Sequence, residues 1–265
     1  MLGNIHSILK LLRFDILYHK LKILLPRNIR DRAGASSKKN NIPLISVREL
    51  QPKFESACRI LTDKLGANNI GEYLEFGVCE GTSLACMFHA LASLELNHVR
   101  LFGFDSFEGL PAIAAIDIEN ELQPGECASN LASTEDLLTR EGVDWHRTFL
   151  IKGWFNETLN DTITREHNIK KASLIMIDCD LYSSAKESLK FCRPLIKDTA
   201  IFFFGDWNED KSIGEKRAFE EFLQENPQLK SELLDRYKNN GIPKGRIFLV
   251  TDTNIKSNSP IGKHA

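Results

Sequence analysis

An α/β fold on a mostly parallel, seven-stranded sheet is predicted for this chain by three observations. Short apolar runs alternate with helical patterns from residue 72 to residue 225. The first run breaks at two glycines four apart, Gly77 and Gly81, just before a helix-like stretch rich in Ala, Leu and Met. The last two apolar runs follow one another with only a turn between them. Alternation of strand and helix needs a parallel sheet covered on both faces, and the closing pair adds an antiparallel end.

The elements follow in order. Leu50, Phe54, Ala57, Leu61 and Leu65 recur on one helical face, and the stretch from Gly66 to Gly71 closes that helix. Strand-like runs lie at 72–78, 99–104, 148–152, 172–177 and 200–204, with helical patterns at about 82–95, 133–141, 156–167 and 183–193 between them. A strong helix at 214–225 precedes strands at 231–237 and 245–251, joined through Asn-Asn-Gly-Ile-Pro. No internal repeat is visible. At 265 residues and 42% hydrophobic, the chain buries a large core in one domain, assigned to 46–265.

Residues 1–45 read as a basic amphipathic helix and linker, an N-terminal extension to the sheet domain. Leu2, Ile5, Leu9, Leu12 and Ile16 form a helical stripe, but Lys10, Arg13, Lys20 and Lys22 interrupt it, so no membrane-spanning segment is expected. No small-residue cleavage site marks a signal peptide. Packing on the domain or on a second copy in a homo-oligomer is the first reading; peripheral contact of 1–25 with an anionic membrane is the alternative. Pro26 to Asn41 is the linker.

Overall charge is −2, which leaves no nucleic-acid footprint. Residues 1–41 carry nine Lys/Arg against Asp15 and Asp31, so the rest of the chain holds 25 basic and 34 acidic residues. An acidic body suits a cationic cofactor and a metal ion, although a solvated acidic surface is the commoner explanation. The six cysteines form neither a CxxC pair nor a disulfide framework, and a cytoplasmic protein with reduced thiols is expected. The seven histidines form no ligand-like pair.

Ligands bind such sheets at the carboxyl ends of the strands, beside the glycine turn. A dinucleotide loop offers bare N–H groups to a pyrophosphate. This loop instead carries Glu75 and Glu80, with Cys79 where the dinucleotide fingerprint has its second glycine. Two carboxylates repel a pyrophosphate and attract a sulfonium with an α-ammonium group, so S-adenosylmethionine is the better fit. Asp105, 24 residues after Gly81, falls at the tip of the neighbouring strand, where an acid accepts ribose hydroxyls; the plainer reading is a turn or cap Asp. Gly153 allows close approach of a ligand, and Trp154 either flanks an adenine or is simply core. Thr82, Ser83 and Ser106 complete the expected cofactor-binding set.

Two further strand ends carry acids: Asp178 and Asp180 on one, Asp206 on the other. Three carboxylates converging in a cleft raise one another's pKa unless a cation relieves them, and Mg²⁺ takes one or two carboxylates plus water and substrate. The alternative is that Asp180 caps the following helix and Asp206 begins a turn. Residues 112–130 have the length of a lid, with Asp117, Glu119, Glu121 and Glu126 expected to be solvated.

The run Glu75-Phe-Gly-Val-Cys-Glu-Gly-Thr-Ser83, then Gly103-Phe-Asp-Ser-Phe-Glu-Gly-Leu-Pro111, Gly153-Trp-Phe-Asn-Glu-Thr-Leu159 and Asp178-Cys-Asp-Leu-Tyr-Ser-Ser184, resembles the macrocin (TylF-like) O-methyltransferases over roughly 50–251. The resemblance implies a class I methyltransferase fold (Rossmann-like, with the antiparallel closing pair), S-adenosylmethionine as donor, and Mg-assisted methylation of a sugar hydroxyl. It implies that Asp178 and Asp206 ligate metal and that Asp180 is the general base. The chain departs from the family at Gly205-Asp206-Trp207, where the pattern is Asp-Asp-Tyr. The open readings are weakened metal binding, water in place of the missing acid, Glu209 or Asp210 reaching in from the next loop, and loss of metal dependence or of activity. The acceptor is then a glycan or glycosylated small molecule. Rival readings are methylation of a non-sugar hydroxyl such as a phenol, non-catalytic adenosylmethionine binding, and nicotinamide-dependent oxidoreduction.

Overall fold

The computed structural model describes residues 47–120, 122–209, 213–239 and 242–254. The basic N-terminal segment, Glu121 and Asp210 lie outside the described residues. The elements run α1 (Val47–Leu65), β1 (Glu72–Phe76), α2 (Thr82–Ser93), β2 (Leu101–Asp105), α3 (Leu131–Arg140), β3 (Thr148–Lys152), α4 (Phe155–Thr158) and α5 (Asp161–Glu166). They continue with β4 (Ala172–Ile177), α6 (Tyr182–Cys192), β5 (Thr199–Phe204), α7 (Gly214–Glu225), β6 (Leu229–Asn239) and β7 (Ile242–Asp252). The expected helix at 156–167 is two helices. The Asn160 side chain accepts the Thr162 and Ile163 N–H groups, so it ends one helical stretch and caps the next.

The seven strands form one sheet in the order β3-β2-β1-β4-β5-β7-β6. β1 to β5 are parallel, while β7 runs antiparallel to both β5 and β6. The chain winds outward from β1 to β3, then returns to lay β4 against β1, so the switch point lies between these two strands.

Side-chain alternation divides each central strand between two cores. Tyr73, Leu101, Leu174, Met176, Ile201 and Phe203 face α1 and α2, whose Leu50, Phe54, Leu61, Leu84 and Leu91 are fully buried. Leu74, Phe76, Phe102, Phe104, Ile175, Phe202 and Phe204 face α6 and α7. Aromatic contacts knit the second core, with Phe204 4.8 Å from Phe219 and 5.2 Å from Trp207 between ring centroids. Burial on both faces leaves the strand tips as the places where polar groups reach a cleft.

Candidate active site

One cavity of about 820 Å³ opens at the carboxyl ends of β1 to β5, a size suited to a cofactor and part of an acceptor. Gly77, Val78 and Cys79 after β1, Asp105 and Ser106 at β2, Gly153 and Trp154 after β3, Asp178 and Asp180 after β4, and Asp206 after β5 all line it. Thr82 and Ser83, which open α2, line it too. Most of the cofactor set expected from sequence therefore shares one wall. Glu75 and Gly81 do not.

Glu75 stands on the α1–α2 side of β1, two residues from Tyr73, and is fully buried. Its Oε2 accepts from the Tyr73 hydroxyl at 2.6 Å and its Oε1 from the Ser83 hydroxyl at 2.5 Å. Burial pushes its carboxyl up to about 8, against the lowering effect of those two hydrogen bonds. The acid therefore lies behind Ser83, one layer from the cavity. Gly81 is the left-handed N-cap of α2, with φ +86°, and packs under Thr134 and Leu138. Gly77 (φ +91°) is where the loop crosses the end of β4: a Cβ there would overlap the Asp178 carbonyl.

Asp105 ties the glycine loop to its own strand. Its Oδ2 accepts the Val78 and Cys79 N–H groups, each at 2.8 Å, and its Oδ1 accepts the Phe107 N–H at 2.6 Å. It is thus a turn Asp, and it also lines the cavity. A carboxylate offers about four lone-pair sites, and Oδ1 here has one occupied.

The lid acids divide. Asp117 is not solvated: it is 2% exposed. Its carboxylate accepts the N–H groups of Tyr182 (2.7 Å) and Ser183 (3.3 Å), the first turn of α6. That is the cap expected of Asp180. The N-cap position itself is Leu181, without a side-chain hydrogen bond. Asp180 is freed for the cavity and sits at φ +60°, a conformation that Asp tolerates better than most residues and that recurs at functional sites.

Asp178, Asp180 and Asp206 do converge, with a fourth acid that the sequence did not single out. Glu215, in the first turn of α7, is fully buried and accepts the N–H groups of Cys179 and Asp206, both at 3.0 Å. It clamps the β4 and β5 loops together. Burial and the neighbouring carboxylates, Asp206 first among them, raise Asp178 and Glu215 well above the ordinary carboxylate range. Burial, the Asp206 charge and an Asp180–Asp206 side-chain hydrogen bond push Asp180 up to about 8. Lys244, from β7, places its ammonium 2.7 Å from Asp206 Oδ1. Neither Lys244 nor Glu187, which also lines the cavity, carried a sequence signal: one is a lysine in a closing hairpin, the other a glutamate in a mid-helix position.

The magnesium expected at Asp178 and Asp206 does not fit this donor set. A Cβ on Gly205 would stand 1.8 Å from Asp178 Oδ1, so the Asp178 carboxyl fills the space that a side chain at position 205 would take. Asp206 Oδ1 is held by Lys244. Among the described residues no group of three or more His, Cys, Asp or Glu is arranged to share an ion. Glu209 does not substitute, because Arg246 Nε donates to its Oε1 at 2.8 Å.

Solved structures share the fold. The O-methyltransferase NovP matches with a TM-score of 0.61 at 20% identity, covering 74% of this chain and 78% of that one. The calicheamicin methyltransferase CalS11 matches with a TM-score of 0.57 at 22% identity, covering 74% and 77%. In sequence, the chain is 27% identical over 146 residues to the 8-demethyl-8-(2,3-dimethoxy-alpha-L-rhamnosyl)-tetracenomycin-C 4'-O-methyltransferase of Streptomyces olivaceus, 53% of this chain and 54% of that protein. The chain thus spans about half the length of the curated relative it matches. Residues 49–235 match the family described as Macrocin-O-methyltransferase (TylF), and the chain belongs to that family.

Proposed function

We propose that the protein is an S-adenosylmethionine-dependent O-methyltransferase acting on a hydroxyl of a sugar or a glycosylated small molecule. One observation carries the reading: the glycine loop, Asp105 and Asp180 all line a single cavity at the strand ends. The donor lies along Gly77, Thr82, Ser83, Ser106 and Gly153, with Oδ1 of Asp105 on a ribose hydroxyl and Trp154 beside the adenine. Glu75 and Gly81 act from behind, by fixing Ser83 and the start of α2. The sugar acceptor is suggested by the family and by the rhamnosyl substrate in the relative's name.

The acceptor oxygen attacks the methyl carbon in line with the carbon–sulfur bond. That bond breaks with its electron pair going to sulfur, which neutralises the sulfonium, and the hydroxyl proton passes to Asp180. Alignment of the two reactants supplies up to about 7–11 kcal/mol in favourable cases, and a positioned base about 10²–10⁴-fold. A carboxyl pushed up to about 8 is a stronger base than an ordinary carboxylate. Magnesium has no part in this reading, because Lys244 holds Asp206 Oδ1 and no three acids among the described residues are arranged to share an ion.

The test is incubation with methyl-labelled S-adenosylmethionine and a panel of rhamnosylated aglycones, nucleotide sugars and phenols, read by mass spectrometry. Label on a sugar hydroxyl is expected. Label confined to phenols would overturn the acceptor, and tight donor binding without any transfer would overturn the enzyme.

A further inference from the structure

Lys244 is the one basic residue among the described residues that line the cavity, where Glu80, Asp105, Asp178, Asp180, Glu187 and Asp206 supply the acids. It enters from the antiparallel hairpin, outside the parallel half of the sheet that carries the other site residues. Its ammonium is 2.7 Å from Asp206 Oδ1, and its side chain stays 45% exposed. The backbone holds this placement, since the Trp207 N–H donates to the Lys244 carbonyl at 3.0 Å.

A divalent ion among strand-end carboxylates would neutralise them and fix the direction of acceptor oxygens. An ammonium can do both: it carries positive charge and three donors. It also repels a second cation, so the two occupants exclude one another. Gly205 fits the same arrangement, because the Asp178 carboxyl occupies the space that the side chain of an acid at position 205 would need.

From this geometry we infer that Lys244 is the built-in cation of the site: held by Asp206, it replaces a divalent metal and donates a hydrogen bond to the acceptor. The acceptor part rests on the methyltransferase reading; the cation part does not.

The experiment therefore has two arms on the full chain. In the first, Mn²⁺ is titrated into wild-type protein and Lys244→Ala, each with S-adenosylhomocysteine, and followed by electron paramagnetic resonance. Wild type is expected to take up no stoichiometric Mn²⁺. One tightly held equivalent in wild type would overturn the inference, whether or not any acceptor is ever methylated. In the second, Lys244→Gln is assayed for methyl transfer with chelator present. Wild type is expected to keep full turnover, while the variant shows an acceptor KM raised at least tenfold and unchanged affinity for S-adenosylhomocysteine. Loss of wild-type turnover to chelator, restored by Mg²⁺, or an unchanged KM in the variant, would overturn it.

Discussion

The Asp117 carboxylate receives the Tyr182 N–H at 2.7 Å across 65 residues of chain, fastening the loop over the cavity to the first turn of α6. The loop that has the length of a lid is therefore anchored near its middle, two residues from the segment that carries Asp180. Leu110 and Gly125 add a second tie, through the Gly125 N–H to the Leu110 carbonyl at 2.9 Å.

Replacing Asp117 removes a helix cap and a loop anchor together. Asp117→Ala should cost about 1–2 kcal/mol, the size of a lost cap, measured by chemical denaturation. Amide exchange at Tyr182 and Ser183 should accelerate. Asp117→Asn, which keeps one acceptor oxygen, should cost less. Equal loss in both variants would mean that the charge, and not the hydrogen bond, fastens the loop.

Turnover should depend on the protonation of Asp180. Burial and Asp206 push its carboxyl up to about 8, so the base form grows as pH rises through that value. Methyl transfer at saturating donor should climb between pH 6 and a plateau above about 8. Asp180→Asn should lower kcat by about 10²–10⁴-fold while calorimetry finds donor affinity unchanged. A profile flat across this range would remove Asp180 from the base role.

Glu75 predicts the pH dependence of stability. Its folded-state carboxyl, pushed up to about 8 by burial, keeps a proton that the unfolded chain releases near the ordinary carboxyl value. Between those two values the native state binds more protons, so stability falls as pH rises. Glu75→Gln keeps the shape and can still bond Tyr73 and Ser83. Thermal melts from pH 5 to pH 8 should therefore decline less steeply in the variant. A parallel decline would place the titrating proton elsewhere, with Asp178 and Glu215 as the next groups to test.

The sheet was legible because apolar strands and helices alternate with little ambiguity; the runs at 148–152 and 172–177 coincide with β3 and β4. Glycines and acids at strand tips were legible because position on a parallel strand dictates where a side chain emerges. What escaped was long-range pairing. Nothing local to Asp117 points to Tyr182, and nothing near Lys244 points to Asp206. The place of Glu75 in the loop motif points to a ligand contact, yet strand alternation puts it on the Tyr73 side, behind Ser83. The helix expected over 156–167 missed its break because Asn160 works as a cap only when its side chain turns back on Thr162 and Ile163.

The β4 and β5 tips pack tightly at Gly205. A methyl group there would stand 1.8 Å from Asp178 Oδ1, well inside contact distance. Gly205→Ala should therefore destabilise by about 1–3 kcal/mol, the usual range for overpacking, visible as a lower denaturation midpoint. The cause can be isolated. In an Asp178→Ala background the carboxyl is gone and the nearest remaining Asp178 atom, Cβ, stands 3.1 Å away, a contact that a small shift relieves. The cost of Gly205→Ala should then fall by more than half, a coupling of the kind seen between residues in direct contact. Additive costs in the double variant would instead mean that the strain comes from the β5 backbone, and that the Asp178 carboxyl is free to turn away from Gly205.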